Sequence, residues 1–319
     1  MLSVHLEKGL VEVRDVPQPE RREGFATIRL VLGGVCNTDL ELQRGYYGFT
    51  GTPGHEFVGV VVAADTQTLV GKRVIGEINL NCGNCSWCAR GLGRHCPTRT
   101  VLGIVGHPGA FQEYLTLPER NLHIVPDSIS DEAAVFVEPL AAACEILDQV
   151  ALTAGDEIVV LGDGKLGLLI AQMLHAHGCR VRQFGKHEAK LAISAARGIA
   201  TERIDGVPLP AGAFRYVVDA TGSPAGLKTA VQMTEPRGTV ILKSTVHGEV
   251  PVDTAPVIVN EITLVGSRCG RFEPAIELLR NGKVDVAPLV TDRIPLSLAP
   301  EAFRTAARQG VLKVLLTAV

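Results

Sequence analysis

Residues 158–174, IVVLGDGKLGLLIAQML, constrain the fold more than any other stretch. The first four are apolar and three of them are β-branched, which reads as a strand buried on both faces. A turn with glycines at 162, 164 and 167 follows, and an apolar helix then runs to about His177. The spacing G-x-G-x-x-G between strand and helix is a dinucleotide-binding fingerprint. Gly162 permits the turn, Gly164 lets backbone approach a pyrophosphate, and Gly167 lets helix and strand pack closely. The helix start at Lys165, Leu166 and Gly167 offers free N–H groups and the positive end of the helix dipole to phosphate. Glycine turns also occur for purely structural reasons. Here the flanking strand and helix, and the strands that follow, favour nucleotide binding.

From about 128 to 268 strand and helix alternate. Strands are expected at 158–161, 179–184, 216–219, 239–242 and 262–265, and helices at 167–177, 188–197 and 224–234. That alternation predicts an α/β Rossmann fold, a doubly wound parallel sheet. Residues 1–127 instead show short strands among glycine and proline turns, at 25–32, 56–64, 70–76 and 111–115. They predict a β-rich, partly barrel-like domain. Ser130 before Asp131 and Glu132 marks the N-cap of a helical stretch. Residues 269–319, with helices at 272–280 and 300–308 and a strand at 311–316, no longer continue the nucleotide fold. They are expected to return to the first domain and to place the active site in the cleft between domains.

Composition narrows the function. The 319 residues suffice for two domains. A net charge of −3, without basic blocks, gives no pull toward nucleic acid or anionic membrane. The opening segment MLSVHLEKGLVEVRD has no apolar run and does not read as a secretory signal. The turn at 162–167 interrupts the longest apolar stretch, so no membrane span is expected. The expectation is a cytoplasmic enzyme acting on a small molecule.

The strongest chemical signal is Cys82, Cys85 and Cys88 followed by Cys96. Thiolates at this spacing suit a closed, tetrahedral structural zinc that braces a lobe and does no chemistry. Disulfides between such close cysteines would be strained. A second set is dispersed: Cys36, His55, Glu56 and Glu138. One cysteine, one histidine and two carboxylates make a mixed zinc set with room for water or substrate. Spacing alone leaves this open, since a lone cysteine is usually packed and a His-Glu pair is usually at the surface. Cys144, Cys179 and Cys269 lie in apolar or strand contexts and read as packing residues.

Taken together, these motifs resemble the zinc-dependent alcohol dehydrogenases of the medium-chain dehydrogenase/reductase superfamily. The resemblance covers essentially the whole chain, from Gly-Val-Cys-x-Thr-Asp at 34–39 through Gly-His-Glu at 54–56, the four-cysteine lobe, Glu-Pro-Leu at 138–140 and the glycine turn, to Asp-Ala-Thr-Gly at 219–222. It implies a GroES-like catalytic domain beside the Rossmann domain, and a catalytic as well as a structural zinc. Cys36 and His55 would be direct ligands, and Glu56 a ligand or exchangeable near-ligand. Glu138 matches the polyol and sugar dehydrogenase branch. Thr38 matches the hydroxyl that takes the substrate proton, Asp39 the carboxylate that orients the histidine, and Thr221 a cofactor-binding position. The sequence departs from the family at Glu41, where many alcohol dehydrogenases carry a relay histidine, so the proton exit would run through Glu41 or water. The chain is also short for the family, and Tyr46, Tyr47 and Phe49 would either shape the pocket or pack locally.

The implied reaction is hydride transfer between an alcohol, a polyol or sugar, and a nicotinamide cofactor. Zinc-assisted elimination, or nucleotide binding without turnover, are the alternatives. An NAD-selective site would carry Asp or Glu about twenty residues after the first glycine. Gly185, Lys186 and His187 stand there instead, so NADP is favoured over NAD, with Lys186 pairing the 2′-phosphate; the alternative is a solvated Lys186 with NAD held through its other contacts, or by Glu188 if the loop folds back. On this reading Gly185→Asp should reverse the preference. The segment 262–265 is expected to be an edge strand that pairs with its twin, giving a homodimer or homotetramer.

Overall fold

The computed structural model describes residues 1–204, 206, 208–244 and 250–318. The chain divides into two compact units, one built from residues 1–138 with 289–319 and the other from 139–288. These divisions fall later than the expected 127/128 and 268/269, for local reasons. Helix Asp131–Val135 is tied to the first unit: Arg73 Nη1 donates to Asp131 at 2.6 Å, and Arg293 pairs with Glu132 at 2.5 Å. Helix Phe272–Arg280 belongs with the second unit. There Gln172 and Asp285 exchange side chain-to-backbone hydrogen bonds, and Arg197 donates to the carbonyls of Gly282 and Lys283.

In the first unit, strand Phe25–Gly34 is the centre of a seven-stranded sheet. It pairs antiparallel with Glu56–Ala63 along one edge. Along the other, its first half pairs with Tyr114–Pro118 and its last residues with Lys313–Thr317. Strand Val290–Pro295 then adds parallel to Lys313–Thr317, so the chain after 289 does return to this sheet. An opening hairpin, Leu2–Glu7 with Leu10–Asp15, turns through Lys8 and Gly9, both at positive φ. The four-cysteine segment forms short helical turns at Ser86–Ala89 and Gly93–His95.

The second unit carries a six-stranded parallel sheet. Its spatial order is Ala200–Arg203, Arg180–Gly185, Glu157–Leu161, Phe214–Asp219, Thr234–Leu242, Thr263–Gly266. Numbered along the chain this is 3-2-1-4-5-6, the order in which a dinucleotide sits where the direction of winding reverses. Val159, Leu161, Phe184, Phe214, Val217 and Val240 form its core, which explains why the strands read as nearly continuous apolar runs. Helix Lys165–His177 covers the sheet and stops at Gly178, whose φ of 100° supplies the left-handed cap. Thr263–Gly266 lies at the sheet edge, as the sequence suggested. Among the described residues no helix is long and apolar enough to cross a membrane.

Candidate active site

Three of the four dispersed residues, Cys36, His55 and Glu56, converge at one end of the first unit's central pairing. Strand Phe25–Gly34 runs out into Val35 and Cys36, and helix Asn37–Gln43 begins there. Across the sheet, Gly34 is opposite Glu56, so Gly54, His55 and Glu56 arrive beside Cys36. The donor atoms of Cys36, His55 and Glu56 lie within 4.8 Å of one another. Gly34 has to be glycine, because a Cβ there would come within 2.7 Å of Glu56 Oε2 and 2.6 Å of Val135. Glu138, second residue of helix Val137–Gln149, is half-buried and is not one of the converging three.

Asp39 is fully buried and holds this corner together. One carboxylate oxygen accepts from the Cys36 amide at 2.8 Å, and the other accepts from the Gly54 amide at 3.1 Å. The second oxygen also lies 3.5 Å from His55 Nδ1. Burial alone would depress the His55 pKa, but the charges of Asp39 and Cys36 outweigh it and hold the pKa well above its ordinary value. Thr38 Oγ1 is 3.8 Å from Cys36 Sγ. Glu41 accepts a hydrogen bond from Arg44 at 2.6 Å. The Tyr46 and Tyr47 rings lie tilted at 42° with centroids 4.1 Å apart, and Tyr47 in the first place pushes the Tyr46 hydroxyl up to about 12.

Sequence reasoning missed Lys313. It is 1% exposed, and its ammonium donates to Glu56 Oε2 with Phe136 5.5 Å away. Burial works against that charge, yet Glu56 and Cys36 raise the lysine pKa above its usual value. A lysine in a C-terminal strand reads as solvated, and only the long-range pairing of Leu315 with Gly34 reveals its neighbours. Among the described residues Glu56 Oε1 is buried without a hydrogen-bond partner, and His55 Nδ1 has Asp39 Oδ1 facing it at 3.5 Å. An orphaned carboxylate oxygen beside a cysteine sulfur and an imidazole fits a divalent zinc.

The four-cysteine lobe passes a sharper test. Its sulfurs are separated by 3.5 Å (Cys85–Cys88), 3.6 Å (Cys82–Cys96) and 3.9 Å (Cys82–Cys88 and Cys85–Cys96). A tetrahedron with Zn–S bonds of about 2.3 Å has edges of about 3.8 Å. None of the four is in a disulfide. The Cys82 amide and then the Thr98 hydroxyl pull the Cys96 thiol down to about 6, whereas burial and then Cys85 push Cys88 up to about 11. Thiols this close cannot all ionise without a cation between them. Cys144, by contrast, is driven to about 12 by burial, and burial also raises Cys179, as inert packing thiols require.

In the second unit each glycine of the turn has its own spatial reason. Gly162 sits at φ 118°, and a Cβ would approach the Ala220 carbonyl to 2.4 Å. A Cβ on Gly167 would meet the Gly162 carbonyl at 2.4 Å. At Gly164 nothing lies within 4 Å, so that face is open to a ligand. Lys165 and Leu166 open the helix behind it. Buried Gln183 supports the turn from below, donating to the Gly162 carbonyl at 2.8 Å and accepting from Ser194 at 2.5 Å. At the neighbouring strand end, the Thr221 hydroxyl and amide both donate to Asp219 Oδ1, at 2.8 and 3.0 Å.

The Gly185 corner differs from the sequence expectation in one respect. Asp163, the residue between the first two glycines, reaches over to it. Its Oδ2 accepts from the amides of Lys186 and His187 at 2.7 and 2.6 Å, and His187 Nδ1 lies 3.0 Å away. A Cβ on Gly185 would stand 2.6 Å from Asp163 Cβ and 2.7 Å from Oδ2. The exchange Gly185→Asp therefore requires the Asp163 side chain to shift, which the sequence expectation of a simple reversal did not include.

Known proteins carry the same combination of parts. Residues 22–127 match the alcohol dehydrogenase GroES-like domain, and residues 166–281 match the zinc-binding dehydrogenase domain. A sorbitol dehydrogenase of Halalkalibacterium halodurans is 29% identical, over 98% of this chain and 96% of its own. An L-threonine 3-dehydrogenase of Legionella pneumophila (strain Corby) is 30% identical over 95% of each chain. A solved structure from Sinorhizobium meliloti 1021, bound to NADP, superimposes with a TM-score of 0.90 at 26% identity, over 99% of this chain and 98% of that one. The fold is that of a two-domain dehydrogenase, a GroES-like domain with a Rossmann domain. The chain belongs to the zinc-dependent alcohol dehydrogenases of the medium-chain dehydrogenase/reductase superfamily, and is an NAD(P)-linked alcohol oxidoreductase.

The Glu56–Lys313 pair gives a stability prediction. Removing one partner strands a buried charge, at a cost of about 3–5 kcal/mol. Lys313→Met should lower the urea midpoint strongly, and adding Glu56→Gln should recover most of the loss. Equal stability of Lys313→Met and wild type would show that the pair is not buried together in solution.

Proposed function

We propose that this protein oxidises a small polyol or sugar alcohol reversibly, using a catalytic zinc and NADP. The observation that carries this reading is the convergence of Cys36, His55 and Glu56, with Glu56 Oε1 buried and without a hydrogen-bond partner among the described residues. Similarity to the sorbitol dehydrogenase and the Glu-Pro-Leu at 138–140 support a polyhydroxylated substrate. Cys36 and His55 are the direct zinc ligands, and the carboxylates of Glu56 and Glu138 are the candidates to complete the set. Cys82, Cys85, Cys88 and Cys96 hold the structural zinc. When bound, zinc supplies Lewis acidity toward the substrate hydroxyl and the nicotinamide supplies the hydride acceptor.

The chain's own residues do the rest. Asp39 fixes the Cys36 and Gly54 backbones and faces His55, so the ligands are held before substrate arrives. Thr38 takes the substrate proton and passes it outward by way of water or Glu41. The amides of Lys165, Leu166 and Gly167 cradle the pyrophosphate, aided by the open face of Gly164, and Thr221 lies at the adjoining strand end. Gly185 adds no carboxylate of its own against a 2′-phosphate, Oδ2 of the neighbouring Asp163 is taken up by the Lys186 and His187 amides, and exposed Lys186 pairs with the phosphate. All eight cysteines are free, which suits the reducing cytoplasm. The unpaired edge of Thr263–Gly266, next to Ile258 and Val259 at 72% and 78% exposure, is read as the seam of a homodimer, or of each dimer in a tetramer.

The deciding experiment incubates the purified protein with polyols, sugars and simple alcohols and follows reduced-cofactor absorbance. Turnover with a polyol supports the proposal, and substrate loss without cofactor reduction overturns it in favour of elimination chemistry. Metal analysis should find two zinc ions per chain. Cys36→Ala should leave one and abolish turnover, whereas Cys85→Ser should lower the melting temperature. Thr38→Val should reduce kcat by about 100-fold or more with cofactor Kd nearly unchanged, and Thr38→Ser should retain most activity. A Val259→Glu/Leu264→Glu variant should sediment as a monomer if the edge strand forms the dimer.

A further inference from the structure

We infer that positions 163 and 185 form a single carboxylate slot at the ribose corner of the cofactor site, filled in this chain from the glycine turn and not from the strand end. The inference deepens the NADP reading above and rests on it for the identity of the cofactor.

Three observations carry it. Asp163 is buried, and one of its oxygens takes the amides of both Lys186 and His187 while facing His187 Nδ1. With two amides donating to it and the imidazole 3.0 Å away, Oδ2 is poorly placed to accept a ribose hydroxyl as well. Second, Gly185 is enclosed. Its carbonyl accepts from Ile204, the preceding carbonyl of Phe184 accepts from Gly162, and its Cβ position is filled by the Asp163 side chain. Third, Asp163 swings aside only by giving up two charge-assisted bonds to backbone amides. Asp163 is thus a positioning residue. It sets the backbone of the turn that carries Lys186, and its presence keeps a strand-end carboxylate out.

This arrangement makes the two positions non-additive. Asp163→Ala would still leave a Cβ 2.6 Å from any side chain introduced at 185, so only glycine at 163 clears the slot. Asp163→Asn keeps an oxygen that can accept the same two amides.

The test measures Kd for NADP and for NAD by titration calorimetry on the zinc-loaded protein, together with melting temperatures. Asp163→Asn should bind NADP within about threefold of wild type, and Asp163→Ala should bind it about tenfold more weakly, as expected for loss of a held turn. Gly185→Asp alone should melt lower by roughly 5 °C or more and bind both cofactors poorly. The double variant Asp163→Gly/Gly185→Asp should recover the melting temperature and prefer NAD. If Gly185→Asp alone melts like wild type and takes up NAD preference, the two carboxylates coexist and the slot does not exist. A wild type that prefers NAD, with Lys186→Ala changing neither Kd, overturns the NADP reading instead. Recovery or non-recovery of melting in the double variant then still decides the slot.

Discussion

The catalytic half of this protein depends on Lys313 meeting Glu56 in a place without water. Asp39, His55, Glu56 and Lys313 are all at most 3% exposed, and Cys36 adjoins them. A cluster of acids and metal donors is costly to bury unless a counter-charge is buried with it. Strand Lys313–Thr317 brings that charge in by pairing with the end of Phe25–Gly34. Gly34 leaves the room in which the pair forms. Sheet register, glycine placement and charge balance are therefore one arrangement, and among the described residues it leaves Glu56 Oε1 buried without a hydrogen-bond partner.

The same device recurs in both units. A buried carboxylate sits beneath a loop and takes its backbone amides: Asp39 under Cys36 and Gly54, Asp163 under Lys186 and His187, Asp219 under Thr221. Charge-assisted bonds to backbone fix a loop without using side chains that must face a ligand. Loops that carry chemistry are thereby given the stiffness of the sheets they leave.

Much of this was legible in the sequence, for reasons that can be named. The central strands of the parallel sheet are buried on both faces and announce themselves as apolar runs. Strands Ala200–Arg203 and Val290–Pro295 are not legible, because each lies at a sheet edge and breaks any apolar run with charged residues. The cysteine lobe was legible because its ligands are local. Cys36, His55 and Glu56 were linked through resemblance, since nothing in their spacing says that Gly34 will lie opposite Glu56. Lys313 was invisible because its partner is 257 residues away. Asp163 stood in plain view inside the fingerprint, but a rule that looks for an acid at the strand end does not look for one reaching there from the turn.

The first unit is sewn from both ends of the sequence around an uninterrupted second unit. During synthesis the parallel sheet of 139–288 can close as soon as it emerges, because all its strands are contiguous. The catalytic sheet cannot. Until the ribosome delivers Lys313–Thr317, strand Phe25–Gly34 keeps part of one edge bare, and Glu56 has no buried cation to meet. The nascent chain thus carries an unfinished strand edge for most of its translation, the kind of surface on which chains mispair and chaperones act. A chain stalled or clipped before Lys313 therefore holds every strand of the parallel sheet, while Glu56 lacks its buried cation.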